Sequence, residues 1–321
     1  LHDLGHGPLS HTSEEIFDHN HEKWSKSLIK DYSPINSILK KFGDEIPKNI
    51  AELFSSKNLI SHPMKTLISS EIDCDRLDYL LRDSYNTGTK YGLVDLERII
   101  SALTFSPDGG IAIKPKGIIA IEHFLVLRNI MYRTIYNHRI NEISSWILEN
   151  IIKSIRNGLK DKIWIDKSLN NWIFYPKNLS FDDFLANDDT RLGYHLIRWK
   201  KEAPAPLSTL CKMFIDRQLL KATNISFLNN IQKLELLAFT KKKCEESNFD
   251  SSLFCGIKEK KFQGFKTDNA LKVWDGNYLV NLDKASLLVK TLMRGEDISL
   301  LIYPKDVQDE IKKRILLMKN N

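Results

Sequence analysis

The chain is poor in cysteine: Cys74, Cys211, Cys244 and Cys255 are its only four, and no two form a CxxC pair. That spacing argues against a thiolate zinc site and for a reducing compartment. No run of about 18 apolar residues is present, which excludes an ordinary helical membrane span. No secretory signal pattern is visible, and the chain reads as cytoplasmic. Low-complexity tracts and internal repeats are missing too, which excludes linker-like and solenoid architectures. A strong excess of one charge is also lacking. Forty-seven basic and 41 acidic side chains leave a net charge of +6. That value suits an anionic substrate but falls short of the concentrated basic surface of a nucleic-acid binder. Histidine is absent beyond residue 222. What remains is a 321-residue chain, 42% hydrophobic and 27% charged, with ample length for a large core.

Histidine is concentrated instead at the start. Five of the nine, His2, His6, His11, His19 and His21, fall in the first 21 residues. The opening stretch Leu1 to Thr12 joins three histidines to Asp3, with Gly5, Gly7 and Pro8 between them. Glycine and proline break regular structure, so this is a shaped loop rather than a helix. Imidazole and carboxylate are ligands for borderline divalent metals, and imidazole carries protons near neutral pH. A lone leucine ahead of His2-Asp3 suggests further residues upstream in the natural chain.

A second informative stretch runs from Ile72 to Asp83. Wound as a helix, it gathers Asp75, Arg76, Tyr79, Arg82 and Asp83 within about 120° of arc, opposite Cys74, Leu77, Leu80 and Leu81. The polar face mixes acid, base and phenol, unlike the Lys/Glu pattern of a solvated face. A third stretch, Gly117 to about Arg156, reads as one long helix or two. Along it Arg128, Tyr132, Tyr136 and Arg139 share a face, with His138 at its flank. Arginines aligned with tyrosines can grip phosphates and a sugar or base.

The rest is read more coarsely. Helices are expected at Ser13–Phe17, Lys23–Lys41 with a break at Pro34, Ile50–Phe54, Met64–Ser70, Val94–Leu103, Leu192–Trp199 and Leu207–Lys221. Trp164 to Ser180 reads as irregular, and Asp182, Asp183, Asp188 and Asp189 as helix-start carboxylates before Leu192–Trp199. Beyond about residue 222, strands are expected at Ile225–Phe227, Ala270–Trp274, Tyr278–Leu282 and Leu300–Tyr303. Helices are expected there at Ile231–Leu237 and Val307–Met318. The fold class is therefore mainly α: a helical body over residues 1–222 and a smaller α+β region over 223–321.

His2-Asp3-Leu4-Gly5-His6-Gly7-Pro8-Leu9-Ser10-His11, then Asp73 to Tyr79 with Arg82-Asp83, then Arg128-Asn129 through Tyr136 to Arg139 appear in that order. Together they resemble the HD-domain phosphohydrolases, and more narrowly the deoxynucleoside triphosphate triphosphohydrolases. The resemblance spans roughly residues 1 to 220. It implies an HD-domain helical body and one divalent metal (Mn, Mg, Fe, Ni or Zn) on His2, Asp3 and Asp75, with a further histidine ligand lying upstream. It implies catalytic roles for His6 and for a His21-Glu22 pair, and substrate contacts from His11, Arg76, Tyr79, Asp83, Arg128, Tyr136, His138 and Arg139. The implied reaction is hydrolysis of a deoxynucleoside triphosphate to deoxynucleoside and triphosphate. A homo-oligomer, dimer or tetramer, and a nucleotide effector are implied as partners. Where the family often carries another histidine on the long helix, this chain has Tyr132. The rival readings are an HD phosphohydrolase acting on another nucleotide or phosphate ester, and a non-catalytic nucleotide sensor.

Overall fold

The computed structural model describes residues 1–17, 19–54, 63–262 and 271–319. The chain is mainly helical, with two small sheets among the described residues, and divides into two compact units, each assembled from separate stretches of sequence. No helix of the described residues is long and apolar enough to cross a membrane.

The first unit comprises residues 1–44, 139–260 and 298–321. Its central element is the helix Arg139–Arg156, which buries Ile143, Ile147, Ile151 and Ile155 at i, i+4 spacing. That row packs with Phe17, Leu28, Trp172, Trp199, Leu207 and Leu210 in one apolar cluster. The segment expected to be irregular holds the helix Lys167–Phe174, which buries Leu169, Trp172 and Ile173. Its apolar spacing is masked by Asn and Lys, but Asp166 caps it by accepting the Leu169 N–H at 2.9 Å. Of the four expected helix-start carboxylates, Asp188 caps Asp189–Glu202 and Asp189 lies in its first turn, whereas Asp182 and Asp183 open a separate short helix, Phe181–Ala186, capped by Ser180. A three-stranded sheet in the order Lys221–Asn224, Glu296–Tyr303, Gly256–Phe262 supports a further cluster around Leu236, Tyr303 and Ile311.

The second unit comprises residues 45–138 and 261–297. The helix Cys74–Thr87 begins at Asp73, whose side chain accepts the Arg76 N–H at 2.8 Å, and ends at Gly88 with φ 70°. Glycine takes this left-handed cap without the penalty a Cβ would bring. Leu77 and Leu80 point inward and pack with Phe124 and Leu125 of the helix Ile118–Met131. A four-stranded sheet closes this unit in the order Leu103–Phe105, Ile111–Ile113, Lys272–Trp274, Leu279–Asn281.

Strand pairing explains where the expected boundaries differ. The junction at 222/223 falls inside Lys221–Asn224, which pairs antiparallel with Glu296–Tyr303. In place of the strand expected at Ile225–Phe227, the strand is Lys221–Asn224, which ends one residue before it. Asn224 Oδ1 accepts both the N–H and the hydroxyl of Ser226, at 2.9 and 2.7 Å, and that turn ends the strand. Lys272–Trp274 pairs parallel with Ile111–Ile113, far away in sequence. Ala270, expected to begin that strand, lies outside the described residues.

Candidate active site

In the first unit the opening loop is held against the helix His21–Asp31 by a buried hydroxyl. Ser25 Oγ accepts the Gly5 N–H at 2.8 Å and donates to the His2 carbonyl. A Cβ on Gly5 would sit 2.0 Å from the His21 carbonyl oxygen and 2.6 Å from the Ser25 nitrogen, so only glycine permits this approach. The loop is also anchored by its Leu9 N–H, which donates to Asp189 Oδ1 at 2.6 Å. Gly5→Ala is therefore expected to cost about 1–3 kcal/mol, the range for overpacking against backbone that cannot retreat. The urea midpoint of the full chain measures it.

This anchoring brings most of the expected first-unit residues together. His2 Nε2 lies 3.2 Å from Asp3 Oδ2, and His6 Nε2 lies 3.4 Å from Asp3 Oδ1. The His6 and His21 rings stack with centroids 4.2 Å apart. At the centre is Glu14, which no sequence argument singled out. Its Oε1 accepts from Nδ1 of His11 and from Nδ1 of His21, both at 2.8 Å, and lies 3.7 Å from His6 Nδ1. Its Oε2 accepts the His21 backbone N–H at 3.2 Å.

Glu14 thus replaces Glu22 as the carboxylate that orients His21. Glu22 is exposed. Consecutive helical residues point about 100° apart, so a carboxylate directly after His21 in the helix cannot face its ring. The signal that could have found Glu14 is its place three residues after His11, one helical turn on.

The electrostatics follow from burial and neighbours. Burial pushes the His6 imidazole below its usual value, and His21 and His11 push it further, against Asp3 and Glu14. Burial would raise Glu14, but hydrogen bonds from His11 and His21 outweigh it and hold the carboxyl below its ordinary range. His6 is therefore neutral, beside an ionised Glu14. His6 Nδ1 is buried and makes no hydrogen bond. A cavity of about 220 Å³ beside His6 is lined by Phe184, Asn187, Asp188 and Asp189, and its acidic wall does not suit a polyphosphate.

The second unit holds the other expected residues. Asp75 is exposed in the first turn of Cys74–Thr87. The Arg76 guanidinium pairs with Asp73 and the Ser70 carbonyl, while Arg82 turns away to pair with Asp78. Arg128 is buried and paired with the equally buried Glu71. Tyr136 O–H donates to Asp83 Oδ2 at 2.7 Å, and Tyr79 and Tyr132 place their hydroxyls 3.4 Å apart. The Tyr79 and Tyr132 rings both pack edge-on against Tyr136, at 5.7 and 5.0 Å, and Arg128 lies 5.5 Å over Tyr132. Burial raises the phenols of Tyr79 and Tyr136, with Tyr132 adding to the first and Asp83 to the second.

The long helix is two. Ile118–Met131 passes into a π-helical turn, Tyr132–Tyr136, before Arg139–Arg156 begins. The common face expected for Arg128, Tyr132, Tyr136 and Arg139 therefore stops at Tyr136. His138 and Arg139 are exposed beyond it. Such turns recur at functional sites because they re-aim side chains.

One protein-family model matches residues 94–316, and its description is HD associated region. The chain belongs to the HD-associated region family. Among relatives of this family member, YwfO of Bacillus subtilis is 35% identical over 68% of this chain, which spans half of that protein. A Dictyostelium discoideum protein named "Deoxynucleoside triphosphate triphosphohydrolase SAMHD1 homolog" is 25% identical over 50% of this chain and a third of its own. A solved phosphohydrolase structure from Bacteroides thetaiotaomicron superposes with a TM-score of 0.77, covering 95% of this chain and 78% of its own. At 23% identity, that likeness shows a shared fold.

Proposed function

We propose that this chain is a metal-dependent hydrolase that cleaves deoxynucleoside triphosphates to deoxynucleoside and triphosphate. The observation that carries the reading is the convergence of His6, His11 and His21 on Glu14, beside His2 and Asp3. The motif resemblance and the name of the Dictyostelium relative supply the substrate class.

The donors fit a divalent cation. A tetrahedral ion with bonds of 2.0–2.1 Å has ligand atoms about 3.3 Å apart, and the His2 and Asp3 donors lie 3.2 Å apart. On this reading His2 and Asp3 hold the metal together with Asp75. When bound, the ion supplies charge that neutralises phosphoryl oxygens and polarises water.

The chain's own groups perform the proton transfers. Neutral His6 takes a proton from the attacking water as its oxygen bonds to the α-phosphorus. The bond from phosphorus to the 5′ oxygen breaks, and His21 returns a proton to that oxygen. Ionised Glu14 stabilises positive charge on His21 and fixes its ring. Arg76 and Arg128 each keep a buried Nε without a hydrogen-bond partner, a donor ready for a phosphate oxygen. His11, His138 and Arg139 add further contacts to the phosphates. Tyr79, Asp83 and Tyr136 read the sugar: a carboxylate accepts the 3′-hydroxyl, and a ring beneath the 2′ carbon leaves no room for ribose.

Incubation with each of the four deoxynucleoside triphosphates, singly and mixed, with Mn²⁺ or Mg²⁺, tests the reading by chromatography of products. Release of triphosphate supports it. Release of orthophosphate points to another phosphohydrolase, and binding without turnover to a sensor. Asp75→Ala is expected to remove the metal and the activity while helical content stays unchanged by circular dichroism. Tyr79→Ala is expected to relax sugar choice. An unchanged ratio of dGTP to GTP turnover would remove Tyr79 from that role.

A further inference from the structure

The four side chains around Glu14 make a donor set of their own. One ligand atom from each of His6, His11, Glu14 and His21 lies within 4.8 Å of every other. Glu14 Oε1 is 2.8, 2.8 and 3.7 Å from the Nδ1 atoms of His11, His21 and His6. Those three separations already bracket the edge of about 3.3 Å that a tetrahedral zinc-class ion requires. Three imidazoles and one carboxylate form a softer set than an imidazole with two carboxylates, and they favour zinc, cobalt or nickel over magnesium.

The surroundings suit metal entry. The side chains of His6, Glu14 and His21 are 18%, 16% and 19% exposed, while His11 is 78% exposed. Three donors form a recessed floor and the fourth stands at the mouth. The His6 Nδ1 is buried with no hydrogen-bond partner, which is the condition of a ligand atom awaiting a cation. His11 and His21 each direct a nitrogen at the same carboxylate oxygen. A divalent ion at that focus would replace two shared protons with one double charge. All four residues lie in the first unit.

We propose that His6, His11, Glu14 and His21 form a second cation site, selective for a zinc-class ion, and that filling it silences the acid–base groups. The inhibitory half rests on the triphosphohydrolase reading above; the binding half stands on the donor geometry alone. An ion on these nitrogens occupies the lone pairs that His6 and His21 need for proton transfer. A hard ion in the first site would then support turnover, and a borderline ion in the second would stop it.

Cobalt(II) added to the metal-free full chain tests the binding half, since four-coordinate cobalt absorbs strongly in the visible. In an Asp3→Asn/Asp75→Asn background, one cobalt per chain is expected, with four-coordinate bands. Adding Glu14→Gln or His11→Gln is expected to abolish that ion and its bands, with helical content unchanged. No bound cobalt in the background variant, or bands that survive both added substitutions, would overturn the site. For the inhibitory half, zinc titrated into wild-type chain working with Mg²⁺ is expected to suppress triphosphate release as the second ion binds. Full turnover with two bound ions would overturn that half. Cobalt binding in a chain that releases no triphosphate under any condition would leave the site standing and reject the triphosphohydrolase reading.

Discussion

Glu14→Gln is expected to lower triphosphate release by about 10²–10⁴-fold, the usual worth of a positioned acid–base group, while the chain stays folded. The amide keeps the size of the carboxylate and removes its charge. Glu14 Oε1 is the shared acceptor for His11 and His21, and Oε2 holds the His21 backbone N–H. A neutral amide leaves the His21 imidazolium without its counter-charge at the moment of proton delivery. Glu22→Gln is the paired measurement. Glu22 is exposed and follows His21 directly in the helix, so its loss is expected to change turnover by less than about fivefold, as for a surface charge worth under about 1 kcal/mol. Should Glu22→Gln prove the crippling substitution and Glu14→Gln the silent one, the sequence-based pairing would stand and the geometry would not.

The contrast between Glu14 and Glu22 shows what was legible in the sequence. Residue types in a dense motif announce chemistry, so His2, Asp3, His6, His11 and His21 could be named before any fold was known. In the structure these five lie in one neighbourhood of the first unit. Which carboxylate meets which imidazole depends on side-chain direction, and adjacency in sequence is misleading there. Helices with strong apolar spacing were readable, as in Arg139–Arg156 with its row of isoleucines. The helix Lys167–Phe174 was not, because polar residues fill its outer face and its burial comes from Trp172 meeting distant partners. A change of texture marks a boundary near residue 222 in the sequence, but short strands take their partners across long sequence separations, so the C-terminal stretch contributes to both units. Arg128 was expected to be a ligand-gripping side chain. The fold gives part of its guanidinium a structural duty that no local pattern encodes.

That duty leads to the largest expected effect on stability. Arg128 and Glu71 are 6% and 3% exposed, and their charges pair inside the second unit. Glu71 favours the charged guanidinium strongly enough to outweigh the burial that opposes it. Removing one partner strands the other charge away from water, at about 3–5 kcal/mol, whereas replacing both with apolar groups of similar volume is often close to neutral. Arg128→Met and Glu71→Leu are each expected to destabilise the second unit by that amount, and the double variant to recover most of the loss. Hydrogen exchange of the helices Cys74–Thr87, which begins just after Glu71, and Ile118–Met131, which carries Arg128, reads the effect within this unit alone. The double variant separates the two duties of Arg128. With stability restored but the guanidinium absent, its unpartnered Nε can no longer meet a phosphate. The expected result is a protected fold with weakened binding of the triphosphate. If the stable double variant binds and turns over substrate like the wild type, Arg128 is a structural ion only, and the phosphates are held by other groups.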